Sequence, residues 1–300
     1  MKRSELSQSN TPASESPPAS GKPVFISNVQ DTLYNRFAAH RRESPPASGK
    51  PVFVFDVDDT LYDRSVPLRK AWERVFGPQR WSDEQWHNFF IRFRFHGYEL
   101  FEASMNGEVS MEEMYVYRIK AAARDFSFPL NDDQAMAFQK EYAWEQAHLV
   151  LGEDERQLLN YICSAGCRMG IITNGKTSHQ LIKYTSLGLA HWIPRERCII
   201  SEEAGVSKPD PAIFRYAENK LGLSSAARNL WYIGDSPVHD IDAAAGVGWK
   251  TIWLARDQAE KTADSMPEHT PDYTVRSIRE MITAVQKIIA EAAGHSQQNL

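Results

Sequence analysis

Three acidic side chains follow directly on the short apolar run at residues 52–55. They are Asp56, Asp58 and Asp59, and Thr60 comes next. Like charges this close repel one another unless a cation neutralises them, and an all-oxygen environment suits Mg²⁺. If the apolar run is a buried parallel strand, the carboxylates lie at its carboxyl edge, where ligands bind in open α/β sheets. The motif predicts a magnesium site, although a solvated acidic turn is the alternative for this motif alone.

Three further polar motifs follow later apolar runs. Thr173 and Asn174 begin the turn TNG, and Lys208 lies in the sequence SKPDP just before a helix start. Asp235 and Asp240 follow another apolar run in GDSPVHD. Each motif alone is compatible with an ordinary polar loop or a surface lysine. Their order, with an acid pair, a hydroxyl, a lysine and an acid pair at successive strand ends, predicts a single site at one edge of one sheet.

The elements that must position these residues follow from the alternation of short apolar runs with helical patterns after Pro51. Such alternation is typical of a parallel sheet covered by helices. The candidate strands are residues 52–55, 168–173, 197–201, 230–233, 250–254 and 273–275. We therefore predict an α/β fold class, a Rossmann-like parallel sheet sandwiched by helices.

A gap of more than 100 residues separates the first two candidate strands. It is rich in aromatic residues, Met, Glu and Arg and has little strand patterning, which predicts an inserted domain of amphipathic helices. Most of a dense aromatic cluster is expected to pack these helices together, and one or two rings are candidates for stacking on a nucleobase. The cluster comprises Trp86, Phe89, Phe90, Phe93, Phe95, Tyr98 and Phe101. Arg92, Arg94 and His96 interleave with it and are expected to form a solvated helix face.

An internal repeat precedes the first acidic motif. Residues 16–36 and 44–64 match at 16 of 21 positions, which chance does not produce. The first copy has Asn28 and Gln30 where the second has acids, so it has no carboxylate for attack or for acid/base work and cannot be a second active site. A duplicated and decayed leader explains it, while addition of residues 24–26 to the sheet is the alternative.

Composition and the repeat together predict the domain organisation. Ser, Pro, Ala and Gly crowd the first part of the chain, which indicates a flexible leader over residues 1–50 containing the degenerate motif copy. The α/β core is expected to comprise residues 51–65 and 160–290, and the helical cap residues 66–159. A flexible tail is expected over residues 291–300.

Charge and composition exclude several classes of protein. The chain has 300 residues, 42% of them hydrophobic and 24% charged, which excludes a small disulfide scaffold and wholesale disorder. Its net charge of −5 gives no reason to expect a nucleic-acid polymer or an anionic membrane as partner. Three cysteines indicate a reducing compartment, and the start of the chain lacks the apolar core of a secretory signal. We expect a cytoplasmic protein without membrane contact; its oligomeric state stays open.

Taken together, the four motifs resemble those of the haloacid dehalogenase-like (HAD) phosphohydrolases. They are DVDDT at 56–60, TNG at 173–175, KPDP at 208–211 and GDSPVHD at 234–240, and the resemblance spans about 51–290. It implies a Rossmann-like core with a helical cap inserted between the first two motifs. It also implies Mg²⁺ as cofactor and a small phosphorylated metabolite as substrate.

The resemblance assigns roles by position. Asp56 corresponds to the nucleophile that becomes an aspartyl-phosphate, and Asp58 to the acid/base that protonates the leaving oxygen and later activates water. Thr173, Asn174 and Lys208 correspond to the residues that hold the phosphoryl oxygens. Phosphoryl transfer depends on positioning and on neutralising charge at the equatorial oxygens, which agrees with this set of residues.

The same resemblance implies the metal ligands. The carboxylates of Asp56 and Asp235 and the backbone carbonyl of Asp58 would ligate Mg²⁺, while Asp240 would support the metal site or the lysine. Two anions must approach closely when Asp56 is phosphorylated, so turnover is expected to require the metal.

The choice of substrate depends on finer similarity. The runs at 171–189 and 199–214 look most like the pyrimidine 5'-nucleotidase type, so a nucleoside 5'-monophosphate is the predicted substrate. A sugar phosphate or phosphoglycolate is the alternative. A phosphomutase is disfavoured because such relatives usually follow the acid pair with Gly-Val, whereas Thr60 and Leu61 stand here. A dehalogenase is disfavoured because Asp58 is present, and a non-catalytic binding protein because the second motif copy is intact.

Overall fold

The computed structural model describes residues 49–223, 229–256 and 266–297. The sequence predictions for the leader and for the first copy of the repeat fall outside these residues, apart from the last two positions of the leader. Six strands form one sheet in the order β3-β2-β1-β4-β5-β6, and every neighbouring pair is parallel. The strands are β1 (Val52–Phe55), β2 (Arg168–Thr173), β3 (Cys198–Ile200), β4 (Leu230–Gly234), β5 (Lys250–Leu254) and β6 (Tyr273–Val275). The predicted fold class is confirmed.

The central strand β1 is fully buried and pairs with β2 on one side and β4 on the other. Side chains alternate between the faces of a strand. Val52 and Val54 therefore pack into the core on one face of the sheet, and Phe53 and Phe55 into the core on the other. Because both faces are covered, the strand is a continuous apolar run rather than an alternating one.

Helices cover the sheet and fill the long connection after β1. Every regular element described between β1 and β2 is a helix: α1 (Ser65–Phe76), α2 (Asp83–Glu99), α3 (Phe101–Met105), α4 (Met111–Asp125), α5 (Asp132–Ala147) and α6 (Glu153–Ser164). The later helices are α7 (Thr177–Ser186), α8 (Ser201–Ala204), α9 (Pro211–Lys220), α10 (Ala243–Gly246) and α11 (Ile278–Gln297), with one π-helical turn at Pro237–Asp242. Helices α6, α7 and α11 pack on one face of the sheet, and α9 and α10 on the other.

The inserted helices have a separate core of their own. Helices α1, α2, α4 and α5 surround Trp72, which is inaccessible to solvent and contacts Phe89 and Phe138. Three of the four helices begin with a reciprocal capping box, in which the cap side chain and the third residue bond each other's backbone N–H. The pairs are Ser82 with Gln85, Ser110 with Glu113 and Asn131 with Gln134. These local signals define the helix starts before any long-range packing forms.

Two features differ from the sequence-based boundaries. Helix α6 crosses the predicted boundary between cap and core at residue 159, and Leu158 and Leu159 on the cap side belong with Ile162 to the core of the sheet. Helix α11 continues to Gln297, so residues 291–297 are helical where a flexible tail was expected. Its apolar face packs on the sheet as far as Ile288 and Ile289, and the helix then extends beyond that contact. None of the helices described combines the length and hydropathy of a bilayer-crossing segment.

Candidate active site

A buried ion pair lies at the carboxyl edge of the sheet. Asp56 directly follows β1, and its Oδ1 accepts a hydrogen bond of 2.8 Å from Nζ of Lys208. The same ammonium donates to Oδ1 of Asp240 at 2.6 Å and to the hydroxyl of Tyr232 at 2.9 Å. Lys208 is only 4% exposed and Asp240 1% exposed. The lysine therefore holds two buried carboxylates that would otherwise repel each other.

The loop that carries Lys208 is held by Asn174. The Asn174 amide donates to the carbonyl of Lys208 at 2.8 Å and accepts from its backbone N–H at 2.9 Å. Both polar atoms of this side chain are thus used on the lysine backbone. These contacts give the Asn174 side chain a positioning role for the Lys208 loop, and its role in binding phosphate stays a prediction.

Thr173 presents a hydroxyl without a partner. Its side chain ends β2, is 1% exposed, and lines the same cavity as Asp56 and Lys208. The Oγ1 atom has no hydrogen-bond partner among the residues that the structure describes. Buried hydroxyls are almost always hydrogen-bonded, so this atom is suited to an oxygen of a bound ligand.

Asp58 lies two residues beyond Asp56, and its carboxylate contacts Lys183 rather than Lys208. Nζ of Lys183 donates to both of its oxygens at 2.7 Å, and the hydroxyl of Tyr62 donates to Oδ1. Burial alone would raise the pKa of Asp58, but the Lys183 ammonium, helped by Arg64, lowers the pKa well below its usual range. The carboxylate is therefore charged in this arrangement.

The turn after Asp58 depends on Asp59. This residue has φ of 61°, in the left-handed region that Asp enters more readily than most side chains. Its carboxylate accepts hydrogen bonds from the backbone N–H of Arg64 at 2.9 Å and from Nε of Arg64 at 2.7 Å. These bonds close the loop between β1 and α1 and place Tyr62 against Asp58.

Asp235 completes an acidic cluster at the end of β4. One carboxylate oxygen from each of Asp56, Asp235 and Asp240 lies within 4.8 Å of the other two. Burial raises the pKa of Asp235 above its usual range, with Arg94 opposing the increase. Burial likewise raises the pKa of Asp56, although Lys208 opposes it.

The pKa values of Asp56 and Asp235 stay raised because Lys208 and Arg94 offset only part of the effect of burial, and a divalent cation would supply further positive charge. The donor set consists of oxygen atoms, as hard cations such as Mg²⁺ require. The residues present therefore fit a magnesium ion. The carboxylate of Asp58 does not belong to the cluster, so a contribution from this residue would have to come from its backbone carbonyl, as the resemblance implies.

The helical insertion faces this edge of the sheet across a cavity of about 500 Å³. Arg94 of α2 reaches over the cavity and lies 3.2 Å from Asp59 and 3.4 Å from Asp235. On the opposite side, the hydroxyl of Tyr115 is 3.0 Å from Nδ1 of His179. The expectation that Arg94 lies on a solvated face was therefore wrong, because its side chain compensates the charge of buried acids.

Several site residues escaped the sequence analysis. Tyr232 lies inside an apolar strand, and its role depends on contacts with residues far away in the chain. Lys183, in contrast, could have been identified from the pattern of residues along its helix. On α7 the buried face carries Gln180, Lys183 and Tyr184, so a lysine interrupts the stripe that turns toward the sheet. A charged residue on such a face needs a buried partner, and Asp58 is that partner.

Gly234 lets Asp240 approach the end of β4. A β-carbon at this position would overlap the Asp240 carboxylate, since the two groups are in close contact. We expect Gly234→Ala to displace Asp240 from Lys208 and to lower turnover by about 10- to 100-fold, as misplacement of about 1 Å does at other active sites. Steady-state kinetics of the variant check this. Gly246→Ala is the matched control, because nothing lies near its added methyl group; equal losses in both variants would contradict the expectation.

Comparison with known proteins adds a family assignment. Residues 50–248 match the family model described as haloacid dehalogenase-like hydrolase. Phosphoserine phosphatase of Thermus thermophilus is 34% identical over 119 residues, or 40% of this chain and 45% of that protein. Glyceraldehyde 3-phosphate phosphatase of Methanopyrus kandleri is 30% identical over 123 residues, 41% of this chain and 51% of that protein. Pyrimidine 5'-nucleotidase YjjG of Escherichia coli is 35% identical over 127 residues, 41% of this chain and 52% of that protein. The chain thus spans about half the length of these curated relatives.

Solved structures share the fold at lower identity. The HAD hydrolase YfnB of Bacillus subtilis, crystallised with magnesium, aligns with a TM-score of 0.57 at 20% identity, covering 79% of this chain and 99% of that one. L-2-haloacid dehalogenase of Xanthobacter autotrophicus aligns with a TM-score of 0.58 at 16% identity, covering 79% and 98%. The family model covers about two thirds of the sequence and includes every residue of the site at the sheet edge. The chain therefore belongs to the haloacid dehalogenase-like hydrolases.

Proposed function

We propose that the protein is a Mg²⁺-dependent phosphomonoester hydrolase that acts through an aspartyl-phosphate on Asp56. The observation that carries this proposal is the contact between the buried Asp56 carboxylate and the Lys208 ammonium, with the unpartnered hydroxyl of Thr173 lining the same cavity. A nucleophile, a cation and a hydroxyl are thus placed around one volume. A phosphoryl group with three equatorial oxygens matches that set.

The chemistry follows from these positions in two steps. In the first, an Asp56 oxygen attacks phosphorus, the bond from phosphorus to the leaving oxygen breaks, and Asp58 delivers a proton to that oxygen. In the second, Asp58 takes a proton from water as the water attacks phosphorus, and the bond to Asp56 breaks to release inorganic phosphate. Lys208 and Thr173 hold the phosphoryl oxygens throughout.

Lys183 affects the two steps differently. Its contacts keep Asp58 charged, which suits the base role in the second step. The acid role in the first step needs a protonated carboxyl group, which requires the contact between Asp58 and Lys183 to loosen. Binding of a dianionic phosphoryl group beside Asp58 favours that proton, because a second negative charge raises the pKa of a neighbouring carboxyl group.

The carboxylates of Asp56 and Asp235 would hold Mg²⁺ together with the backbone carbonyl of Asp58, and Asp240 would support this site from within the same cluster. When bound, the metal neutralises charge on the phosphoryl group as the nucleophile approaches. The residues of the chain orient the substrate and move the protons. The location of the protein in the cytoplasm stays a prediction.

Nucleoside 5'-monophosphates are the first substrate candidates. The similarity to a relative named pyrimidine 5'-nucleotidase supports them, as does the exposed ring of Tyr98 in the cavity wall. Small acidic and three-carbon phosphate esters are the second candidates, since other relatives are named for phosphoserine and glyceraldehyde 3-phosphate. The inserted helices of residues 66–159 supply much of the cavity wall and are assigned the role of a cap that selects the leaving group.

Phosphate release from a panel of nucleoside monophosphates, sugar phosphates, phosphoserine and p-nitrophenyl phosphate tests the proposal. We expect release with Mg²⁺, loss of release in excess EDTA, and recovery when Mg²⁺ is restored, because Lys208 and Arg94 offset only part of the charge of the buried acids. Calcium at the same concentration is a useful comparison, since it accepts more ligands at longer distances.

Release that persists in excess EDTA would contradict the metal requirement. Absence of release from the whole panel, by protein that melts cooperatively and binds Mg²⁺, would contradict the hydrolase proposal. A best substrate among the nucleotides would favour the first candidate class, and one among the small esters the second.

A further inference from the structure

The cations that line the cavity are paired, with one exception. Each pair joins a lysine or arginine to at least one carboxylate: Arg64 to Asp59, Arg94 to Asp59 and Asp235, Lys176 to Glu202, Lys183 to Asp58, and Lys208 to Asp56 and Asp240. Arg118 of α4 lines the same cavity and has no carboxylate within ion-pair distance in the described part of the chain. Among the described lysines and arginines that line the cavity, Arg118 is the one without a carboxylate partner.

The Arg118 guanidinium is held by aromatic rings. Its central carbon lies 4.4 Å from the ring centre of Phe93, 4.7 Å from Tyr115 and 5.5 Å from Tyr142. One terminal nitrogen donates to Oε1 of Gln139 at 3.1 Å. The Nε atom is buried and has no acceptor among the described residues. A guanidinium has five N–H donors, so most of the donors of Arg118 remain available.

Such an arrangement is costly unless a ligand completes it. Burial lowers the pKa of Arg118, since no neighbouring carboxylate stabilises its charged form. Contacts with ring faces offset part of the desolvation but accept no in-plane hydrogen bonds. The acids of the insertion that line the cavity are otherwise placed: Glu99 accepts hydrogen bonds from His96 and Tyr117, and Glu102 is exposed. The rings therefore restrict the orientation of a guanidinium that lines the cavity.

We propose that Arg118 binds an anionic oxygen group, a carboxylate or a second phosphate, carried by the leaving group of the substrate. The inference rests on the proposed function and narrows its substrate class. Asp56 and Lys208 engage the phosphoryl group at the sheet edge, and Arg118 engages the other end of the same small molecule from the helical insertion. Planar guanidinium groups match carboxylate and phosphate oxygens in pairs, which selects for acids over alcohols. Among the candidate substrates, this contact favours phosphomonoesters whose leaving group carries an acid.

Matched esters test this assignment kinetically. The acidic members are 2-phosphoglycolate and propane-1,3-diol bisphosphate, and their neutral counterparts are ethyl phosphate and propyl phosphate. We expect kcat/KM for at least one acidic ester to exceed that of its counterpart by about 10- to 100-fold, the range for a hydrogen-bonded charge pair. A difference between 2-phosphoglycolate and ethyl phosphate identifies a carboxylate as the recognised group. A difference between propane-1,3-diol bisphosphate and propyl phosphate identifies a second phosphate.

The variant Arg118→Met should reduce that ratio to near one, and Arg118→Lys should retain part of it, because lysine keeps the charge but lacks the planar pair of donors. Arg124→Met is the matched control: it removes an exposed arginine from the same helix and should leave the ratio unchanged. Thermal melting of each variant separates a folding defect from a change in recognition.

Binding of unreactive analogues separates this inference from the hydrolase proposal. Calorimetry in Mg²⁺ buffer compares 3-phosphonopropionate and ethylene-1,2-bisphosphonate with butylphosphonate, none of which can be hydrolysed as an ester. If an acidic analogue binds more tightly than butylphosphonate, and Arg118→Met removes this difference in affinity, the assignment is supported. This holds even if no ester is hydrolysed; only the proposed hydrolase reaction would then fail. Equal affinities in the unaltered protein, or an acidic preference that persists in Arg118→Met, would overturn the assignment while leaving the hydrolase proposal intact.

Discussion

Replacement of Asp56 by asparagine is expected to slow phosphate release by on the order of 10⁴-fold or more, the scale of loss when a catalytic nucleophile is removed. The amide has no anionic oxygen with which to attack phosphorus. The other described carboxylate bonded to Lys208 is that of Asp240, and both of its oxygens already accept hydrogen bonds, from Lys208 and from the backbone N–H of Ser236. Single-turnover phosphate release with the best substrate of the panel measures the effect.

Two comparisons make the Asp56→Asn result specific. Asp83→Asn makes the same exchange of acid for amide at a side chain that is 100% exposed at the start of α2, and turnover should be unaffected. The thermal midpoint of Asp56→Asn should not fall far, because the amide fits the same volume and Asp240 still pairs with Lys208. Residual turnover within tenfold of the unaltered protein would show that another group attacks phosphorus.

Replacement of Lys208 by methionine is expected to have a large effect on both stability and activity. The free energy of unfolding should fall by about 3–5 kcal/mol, the cost of removing one partner from a buried charge network. Methionine fills a similar volume, so the loss reflects charge: Asp56 and Asp240 would face each other without the ammonium between them. Turnover should fall by about 10³-fold or more, because charge at the transferred phosphoryl group loses its nearest side-chain cation.

Chemical denaturation of Lys208→Met with and without a second change, Asp240→Asn, tests the physical cause. Removing one of the two facing charges should recover part of the lost stability, while activity stays low. Lys220→Met, at an exposed lysine near the end of α9, is the control for a loss of positive charge. Stability of Lys208→Met equal to that of this control would contradict the role of Lys208 as the charge that holds the two acids together.

The residues that follow strands were the predictable part of this site. Parallel strands bring their carboxyl ends to one edge, so the order of apolar runs was enough to place Asp56, Thr173 and Asp235 together before any contact was known. Lys208 joined them because its motif lies between β3 and the start of α9. The same logic predicted the sheet, since β1 to β5 consist mostly of buried residues, whereas in β6 only Val275 is buried.

Contacts between distant helices could not be predicted in the same way. The approach of Arg94 to Asp235 spans 141 residues, and that of Lys183 to Asp58 spans 125. Neither is implied by local spacing, because each depends on how the helical insertion or α7 is oriented against the sheet edge. Asn174 shows another limit: the sequence predicts that this residue lies at the site, but not that its side chain bonds to the backbone of Lys208.

The lengths of the outermost strands have a consequence for association between chains. Among the residues that the structure describes, strands β3 and β6 form the two edges of the sheet and contain three residues each, whereas β2 contains six. An edge strand exposes unpaired backbone groups on which a strand of another molecule can add, and short edges offer few of them. The apolar strands most prone to aggregation lie in the middle of the sheet, where both sides are already hydrogen-bonded. Self-association by sheet extension is thus disfavoured by the order of the strands.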